Sequence, residues 1–130
     1  NNGDLTAIRT IADYYTRGYI VSIDNAQAAK YYEKYIKLIG MSPNNQDDIN
    51  LFYEAGLAEY TRGDNRAAVE FLKVAAKYGK AEAADALGRM YENANGVKLD
   101  LEEALEYYKL AQKNGLDTSE SIVRVQTNPD

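Results

Sequence analysis

Apolar residues recur along most of the chain at three- and four-residue spacing, which places them on one face of an α-helix. The pattern is clearest near the C-terminus, at Leu101, Ala104, Leu105, Tyr108 and Ala111. The same periodicity predicts six helices in total. We expect them at approximately residues 5–17, 25–39, 48–62, 65–78, 81–93 and 101–114.

Capping and turn-forming residues lie between these predicted helices. Asp100 is followed three residues later by Glu103, and Asp24 by Gln27, which is the spacing of a capping box at a helix start. A glycine follows the second, fourth and sixth predicted helices, at Gly40, Gly79 and Gly115. Because glycine adopts a left-handed conformation at no steric cost, we expect these residues to close the last turns.

An internal repeat relates the predicted helices to one another. A shift of 76 residues carries residues 87–91 onto 11–15 and Tyr107-Tyr108 onto Tyr31-Tyr32, with no gap. A shift of 36 residues carries 104–111 onto 68–75. The chain of 130 residues is therefore predicted to be a single domain, 1–130, built from three copies of one helical hairpin. We place the copies at approximately residues 5–40, 48–79 and 81–115.

Small residues occupy one position of each predicted helix. They are Ala12, Gly56 and Gly88 on the first helices and Ala28, Ala68 and Ala104 on the second. A small residue facing a large one lets two helices approach closely, so we assign these positions to the core.

The third copy carries the residues by which the chain resembles a known family. It contains Ala84-Asp85-Ala86-Leu87-Gly88 and Tyr91, then Asn95-Gly96-Val97 and Asp100, then Ala104, Tyr107-Tyr108-Lys109, Ala111 and Asn114-Gly115. This series resembles a SEL-one-like repeat (SLR), a longer-looped relative of the tetratricopeptide repeat (TPR). The resemblance covers roughly residues 4–124. It implies an all-α fold, a right-handed α-α superhelix (solenoid) of three antiparallel helical hairpins.

Two departures from the repeat involve the first copy. Tyr35 stands where the other copies have Ala75 and Ala111. The junction into the second copy is also long, because Gly40 precedes Ala55 by 15 residues, whereas the corresponding separations elsewhere are 8 residues. We therefore expect copy one to pack on copy two at an unusual angle.

The C-terminal segment 117–126 fits two interpretations. Ile122-Val123 matches Ala86-Leu87, so the segment could be a partial repeat of a longer array. Alternatively, residues 119–126 form a capping helix, as solenoids need at their ends.

Composition mainly excludes functions. The chain contains no histidine, the commonest general base and metal ligand, and no cysteine, so it has neither a thiolate nucleophile nor a thiolate metal site. The adjacent carboxylates Asp47-Asp48 and Glu102-Glu103 lie near predicted helix starts, where acidic residues are favoured. No glycine-rich run forms a phosphate-binding loop. We predict that the protein is not an enzyme and binds no cofactor or metal.

Charge and hydropathy narrow the class of partner. The formal net charge of -5 disfavours nucleic acid, because affinity for phosphates needs clustered Lys and Arg. No apolar run approaches the roughly 20 residues that a membrane span requires, so we predict no membrane insertion. The amino-acid composition does not indicate the cellular compartment of the protein. The resemblance implies the bacterial cell envelope or secretion, because bacterial SLR proteins are often exported.

The resemblance also implies where a partner would bind. In TPR proteins the first helices line a concave groove that holds a peptide or a helix of another protein. The corresponding positions are Arg9, Asp13, Thr16 and Arg17 in copy one, Asn50, Tyr53, Leu57 and Tyr60 in copy two, and Glu82, Asp85, Arg89 and Glu92 in copy three. The expected function is therefore that of a protein-protein interaction module. The alternative is a structural spacer in a longer repeat protein, with no groove ligand.

The middle set is the most informative of the three. Tyr53, Leu57 and Tyr60 share one helix face, which predicts an exposed apolar stripe of the kind that marks interaction sites. The other interpretation is that the stripe packs against the connection at 40–47.

Overall fold

A computed structural model of the chain describes residues 8–11, 25–40 and 42–127, with the backbone alone for 25–28. Six helices lie in this part of the chain: α1 (Asn25–Ile39), α2 (Gln46–Arg62), α3 (Asn65–Lys77), α4 (Ala81–Asn93), α5 (Leu101–Lys113) and α6 (Ser119–Thr127). Residues 8–11 are also helical, and the described residues contain no strand. The predicted helix bounds agree within two residues wherever a whole helix is described, and the rest of the helix expected at 5–17 lies outside the described residues.

Each helix packs mainly against its neighbours in sequence. The most extensive contacts join α2 to α3 and α4 to α5, the two complete hairpins. Contacts of α3 with α4 join these hairpins, α1 packs on α2, and α6 packs on α5. This succession of neighbour contacts is typical of a helical-repeat solenoid.

Helix ends follow the predicted signals, with one difference. The Asp100 side chain accepts a hydrogen bond from the Glu103 backbone N–H at 3.1 Å. The Asp100 backbone N–H, however, donates to the carbonyl of Tyr91 at 3.1 Å. The backbone N–H of a capping residue is the group that the second half of a capping box would use, so here it ties α5 to the end of α4 instead. The pair Asp24 and Gln27 lies outside the described side chains.

The predicted left-handed glycines are confirmed. The φ angles of the glycines after α1, α3 and α5 are +78° at Gly40, +104° at Gly79 and +106° at Gly115. A side chain would be strained at these angles, so glycine lets each hairpin end in a tight turn.

Glycine also sets the close approach of the two helices in each hairpin. A Cβ atom added to Gly56 would lie 2.7 Å from Cγ of Leu72. One added to Gly88 would lie 2.7 Å from Cε1 of Tyr108. In both hairpins the large side chain of the second helix therefore packs directly on the backbone of the first.

The core extends from α1 to α5, with a smaller cluster against α6. Leu87, Ala104 and Tyr108 are completely buried and Tyr91 nearly so, as the repeat predicts. Tyr91, Ala104 and Tyr108 form the smaller cluster together with Val125 of α6.

The long junction before α2 is absorbed partly by loop and partly by helix. α2 begins six residues after Gly40, whereas α4 begins two residues after Gly79. The remaining extra residues lengthen α2, which has 17 residues against 13 in α4. Tyr35 is buried at this junction and donates a hydrogen bond from its hydroxyl to Oδ1 of Asp48 at 2.9 Å. The packing angle between copies one and two stays a prediction.

Candidate functional site

A mainly apolar cavity of about 290 Å³ opens between α2 and α4. α2 contributes Leu57 and Tyr60, α4 contributes Ala86, Arg89 and Met90, and α3 contributes Leu72. Asn93 and Asn95 line the same cavity near the end of α4. We call this cavity the apolar groove.

Tyr60 is the aromatic residue among those that line the apolar groove. Its relative exposure is 44%, whereas Met90 and Leu72 are 4% and 1% exposed and form covered parts of the wall. Leu57 is half-buried. The groove therefore has an apolar interior with one large ring at its surface, an arrangement that can hold an apolar side chain of another molecule.

Tyr53, the third member of the predicted stripe, has a different environment. Lys80 Nζ lies 5.1 Å from the centre of the Tyr53 ring and 3.0 Å from Oδ1 of Asn50. Lys80 also forms an ion pair with Glu82 at 3.9 Å. Burial, followed by the nearby carboxylates of Glu54, Glu82 and Asp85, raises the pKa of Tyr53. Asn50, Tyr53 and Glu82 are thus gathered around one lysine, outside the apolar groove.

A second cavity, of about 390 Å³, lies on the other side of α4. Asp85 and Arg89 of α4 line it together with residues of the α5–α6 connection and the first turn of α6, which are Leu116, Asp117, Thr118, Glu120 and Ser121. We call it the acidic cavity. An adjoining cavity of about 400 Å³ is lined by Arg89, Glu92, Asn93, Glu120, Ser121 and Arg124.

Arg89 borders all three cavities. Its side chain is 67% exposed and pairs with Asp85 on the same helix at 3.2 Å, a contact in which Asp85 is only 16% exposed. The guanidinium group is therefore held along α4 between the apolar groove and the acidic cavity.

Glu92 is engaged within the protein. Its Oε1 accepts hydrogen bonds from the Tyr108 hydroxyl at 2.7 Å and from Nη2 of Arg124 at 2.8 Å. Its Oε2 accepts a hydrogen bond from Nε of Arg124 at 2.7 Å. The Arg124 guanidinium, assisted by the Tyr108 hydroxyl, lowers the pKa of Glu92. Because both oxygens are occupied, this carboxylate fastens α6 to α4 and α5, and a partner would have to displace Arg124 to use it.

Arg9 is the one predicted site residue of copy one that the structure describes. Arg9 forms an ion pair with Asp47 at 3.7 Å and lines none of the three. Asp13, Thr16 and Arg17 lie outside the described residues. The structure thus brings together Leu57, Tyr60 and Arg89 at the apolar groove, and Asp85 and Arg89 at the acidic cavity.

Sequence reasoning missed the residues that α6 contributes. The shift of 36 residues that relates the repeats carries Asp85 onto Ser121, so the repeat itself would have identified that position. No periodic signal identifies Glu120 or Arg124. Lys80 was also missed, because it precedes α4 in the short turn after Gly79.

Two kinds of site are absent from the part of the chain that the structure describes. Its carboxylates form no cluster of three or more that could hold a metal ion. None of its helices combines the length and the apolar character needed to cross a membrane.

Comparisons with known proteins place the chain among solved repeat structures. No protein-family profile and no curated protein sequence matches it. A protective antigen present in uropathogenic Escherichia coli strains, which displays an SLR fold, matches with a TM-score of 0.66 and 28% identity. The match covers 88% of this chain and 24% of that one, so this chain spans about a quarter of the antigen's length.

A second solved structure covers the chain almost completely. A Sel1 repeat protein from Oxalobacter formigenes matches with a TM-score of 0.64 and 22% identity, over 96% of this chain and 90% of that one. Both matches confirm the fold that the resemblance implied, an all-α solenoid of SLR-type helical hairpins.

Proposed function

We propose that this helical-repeat domain binds a segment of a partner protein in the apolar groove between α2 and α4. The observation that carries the proposal is the exposed ring of Tyr60 beside a cavity of about 290 Å³ whose interior is formed by Leu57, Ala86 and Met90. An exposed aromatic ring next to an apolar cavity is typical of an interaction site, because an apolar partner side chain removes both surfaces from water.

Tyrosine suits such a role for two physical reasons. Its ring buries a large apolar area, and its hydroxyl can remain hydrogen-bonded at the rim of an interface. Tyrosine is also among the residues that contribute most to the binding energy of interfaces. We therefore assign Tyr60 as the principal anchor, with Leu57 beside it.

The hairpin packing supports a groove that exists before the partner binds. Gly56 lies directly against Leu72, so α2 is fixed on α3 one turn before Tyr60. Met90, on the opposite wall, is 4% exposed and belongs to the core. A groove whose walls are fixed in this way needs little ordering on association, which favours binding.

A peptide-display selection tests the proposal and can begin before any natural partner has been identified. A library of random peptides is selected against the whole chain, and the enriched peptides are synthesised and titrated against two variants. Tyr60→Ala removes the anchor. Tyr78→Ala is the matched control, because Tyr78 is 43% exposed, close to the 44% of Tyr60, and lines none of the three cavities.

We expect selected peptides to lose affinity for Tyr60→Ala and to retain it for Tyr78→Ala. If the selection enriches only peptides that bind both variants equally, the apolar groove is not the binding site. The structural spacer, in which the domain holds other parts of an assembly apart, then becomes the better description.

A further inference from the structure

The acidic cavity next to the apolar groove has an uneven charge distribution. Three carboxylates line it, those of Asp85, Asp117 and Glu120, against the single guanidinium of Arg89. Asp85 pairs with Arg89. Asp117 accepts hydrogen bonds from the backbone N–H and the hydroxyl of Ser119, at 3.0 and 2.7 Å. The charge that lines the cavity is therefore negative overall, which favours a cation and disfavours an anion.

Glu120 is the carboxylate that remains available. It is exposed on the first turn of α6, and it makes no ion pair or side-chain hydrogen bond with another described residue. It lines both the acidic cavity and the adjoining one. A cationic side chain that enters the acidic cavity can reach Glu120 without displacing an existing partner.

The two guanidinium groups that line the acidic cavity and the adjoining cavity, those of Arg89 and Arg124, already pair with carboxylates of the protein. Arg89 pairs with Asp85, and Arg124 is held by both oxygens of Glu92. A carboxylate from a partner would have to compete with these contacts, whereas a lysine or arginine would not. Charge complementarity at this place therefore selects a basic side chain.

The width of α4 sets the spacing between the two binding positions. The apolar groove lies on the α2 side of α4 and the acidic cavity on the α6 side, with Arg89 bordering both. Packed helices are about 8–10 Å apart, which approximates the distance from one side of α4 to the other. An extended chain advances about 3.3–3.6 Å per residue, so about three residues cross that distance.

We infer that the partner segment carries a large apolar residue and, three residues away, a lysine or arginine. The apolar side chain occupies the groove beside Tyr60, and the basic side chain occupies the acidic cavity near Glu120 while the backbone crosses α4. This inference rests on the proposed function, because it specifies the partner that the apolar groove would hold.

Short synthetic peptides test the inference directly. Two peptides carry leucine and lysine three residues apart, one in each order, in a background of alanine and serine. For each order a control peptide carries glutamate in place of lysine. Fluorescence anisotropy measures their binding to the whole chain, and we expect the lysine peptide of at least one order to bind about tenfold more tightly than its glutamate control, because like charges in contact oppose binding.

A charge-reversal substitution on the protein tests which residue contacts the lysine of the peptide. Glu120→Lys should reverse the preference, so that the glutamate peptide binds more tightly than the lysine peptide. The control is Glu70→Lys, which makes the same charge change at an exposed position of α3 that lines none of the three cavities. Glu70→Lys should leave the preference for lysine unchanged.

The outcomes separate this inference from the proposed function. If lysine and glutamate peptides of both orders bind equally while library-selected peptides still require Tyr60, the inference about the basic residue is wrong and the groove stands. If the preference for lysine persists in Glu120→Lys, the acidic cavity is not where the cation binds and the inference is overturned. If no peptide requires Tyr60, the proposed function itself fails.

Discussion

The hydroxyl oxygen of Tyr108 lies 2.7 Å from Oε1 of Glu92, so a buried ring on α5 is hydrogen-bonded to a carboxylate on α4. The same carboxylate binds the Arg124 guanidinium of α6 through both of its oxygens. Side chains of α4, α5 and α6 therefore meet at the Glu92 carboxylate, next to the cavities that α4 residues line. The contact also places a polar group at the edge of the small core cluster that contains Tyr108.

Removing only the hydroxyl of Tyr108 should have a modest effect on stability. Tyr108→Phe keeps the buried ring and leaves Glu92 bound to Arg124, so we expect a loss of about 1–2 kcal/mol in the free energy of unfolding. Tyr108→Ala also removes the ring and should cost about 3–5 kcal/mol. Urea denaturation followed by circular dichroism measures both, and equal losses in the two variants would contradict the assignment of the ring as the larger contribution.

Gly88 should be intolerant of even the smallest side chain. Replacing glycine by alanine inside a helix normally stabilises a protein by about 0.5–1 kcal/mol. At Gly88, however, the new Cβ would lie 2.7 Å from Cε1 of the fully buried Tyr108. We therefore expect Gly88→Ala to destabilise the fold by about 1–3 kcal/mol through overpacking.

A double-mutant cycle shows whether the ring of Tyr108 is the cause. In a Tyr108→Ala background the clash is absent, and Gly88→Ala should then be neutral or stabilising. If the loss at Gly88 is the same in both backgrounds, the steric explanation is wrong.

The helices and their ends could be predicted because their signals are local. The periodicity of apolar residues, the capping at Asp100 and the glycine after each hairpin all act within a few residues of one another. The repeat then supplied the order in which the helices pack. These signals do not determine which polar side chains meet across helices, since that depends on distances in the folded structure.

Two buried carboxylates illustrate what the sequence did not predict. Asp48 is 3% exposed and binds Tyr35 of α1, although the sequence indicated only an acidic residue near a helix start. Glu59 is completely buried at the position where copy three has Tyr91. A pattern of apolar residues assigns charged side chains to the surface, so it does not predict that these two carboxylates are buried. The residues that α6 contributes to the acidic cavity were missed for a different reason, because groove positions were assigned only in the three complete copies and α6 follows the third.

Tyr35 should stabilise the junction before α2 through its hydroxyl. The two oxygens of Asp48 accept hydrogen bonds from the Tyr35 hydroxyl at 2.9 Å and from the Asn44 backbone N–H at 3.0 Å. Tyr35→Phe would leave one oxygen of a buried carboxylate without its donor, so we expect a loss of about 1–3 kcal/mol in unfolding free energy. Thermal or urea denaturation checks this value.

Tyr78→Phe is the control for that experiment. Tyr78 is 43% exposed, so loss of its hydroxyl should change stability by less than about 0.5 kcal/mol. If Tyr35→Phe is equally neutral, the hydrogen bond to Asp48 does not hold the junction.

Glu59 should make the protein less stable as the pH rises. A carboxylate whose pKa is lowered by an ion pair has the opposite effect. Burial, together with the nearby carboxylate of Glu33, raises the pKa of Glu59, although the hydrogen bond from Arg62 acts against this rise. Its Oε2 accepts no hydrogen bond from the described residues. The folded chain therefore holds a proton that the unfolded chain has already released, and this group's contribution to stability decreases as the pH rises from its ordinary pKa to the raised one.

Glu59→Gln should remove that dependence while keeping an oxygen for Arg62. Relative to the wild type, the variant should gain stability as the pH rises above about 4.3, the ordinary pKa of glutamate, and the gain should level off above the raised pKa of Glu59. A final difference on the order of 1 kcal/mol is expected for one buried polar atom without a partner. Urea denaturation from acidic to neutral pH measures this difference. A difference between Glu59→Gln and wild type that is constant across this range would show that Glu59 does not titrate abnormally.

The anchor role of Tyr60 predicts a loss of binding without a loss of fold. Because Tyr60 is 44% exposed and belongs to neither core cluster, Tyr60→Ala should leave the fold intact and lower the free energy of unfolding by only about 0.5–2 kcal/mol, less than the loss of a fully buried ring. In calorimetric titration with a selected peptide, the same variant should lose about 2 kcal/mol or more of binding free energy, as aromatic anchors of interfaces do. Arg9→Ala should change binding by less than about 1 kcal/mol, because Arg9 pairs with the exposed Asp47 and lines none of the three cavities. A large loss for Arg9→Ala combined with normal binding by Tyr60→Ala would move the binding site from the apolar groove to the face of α2 that carries Asp47.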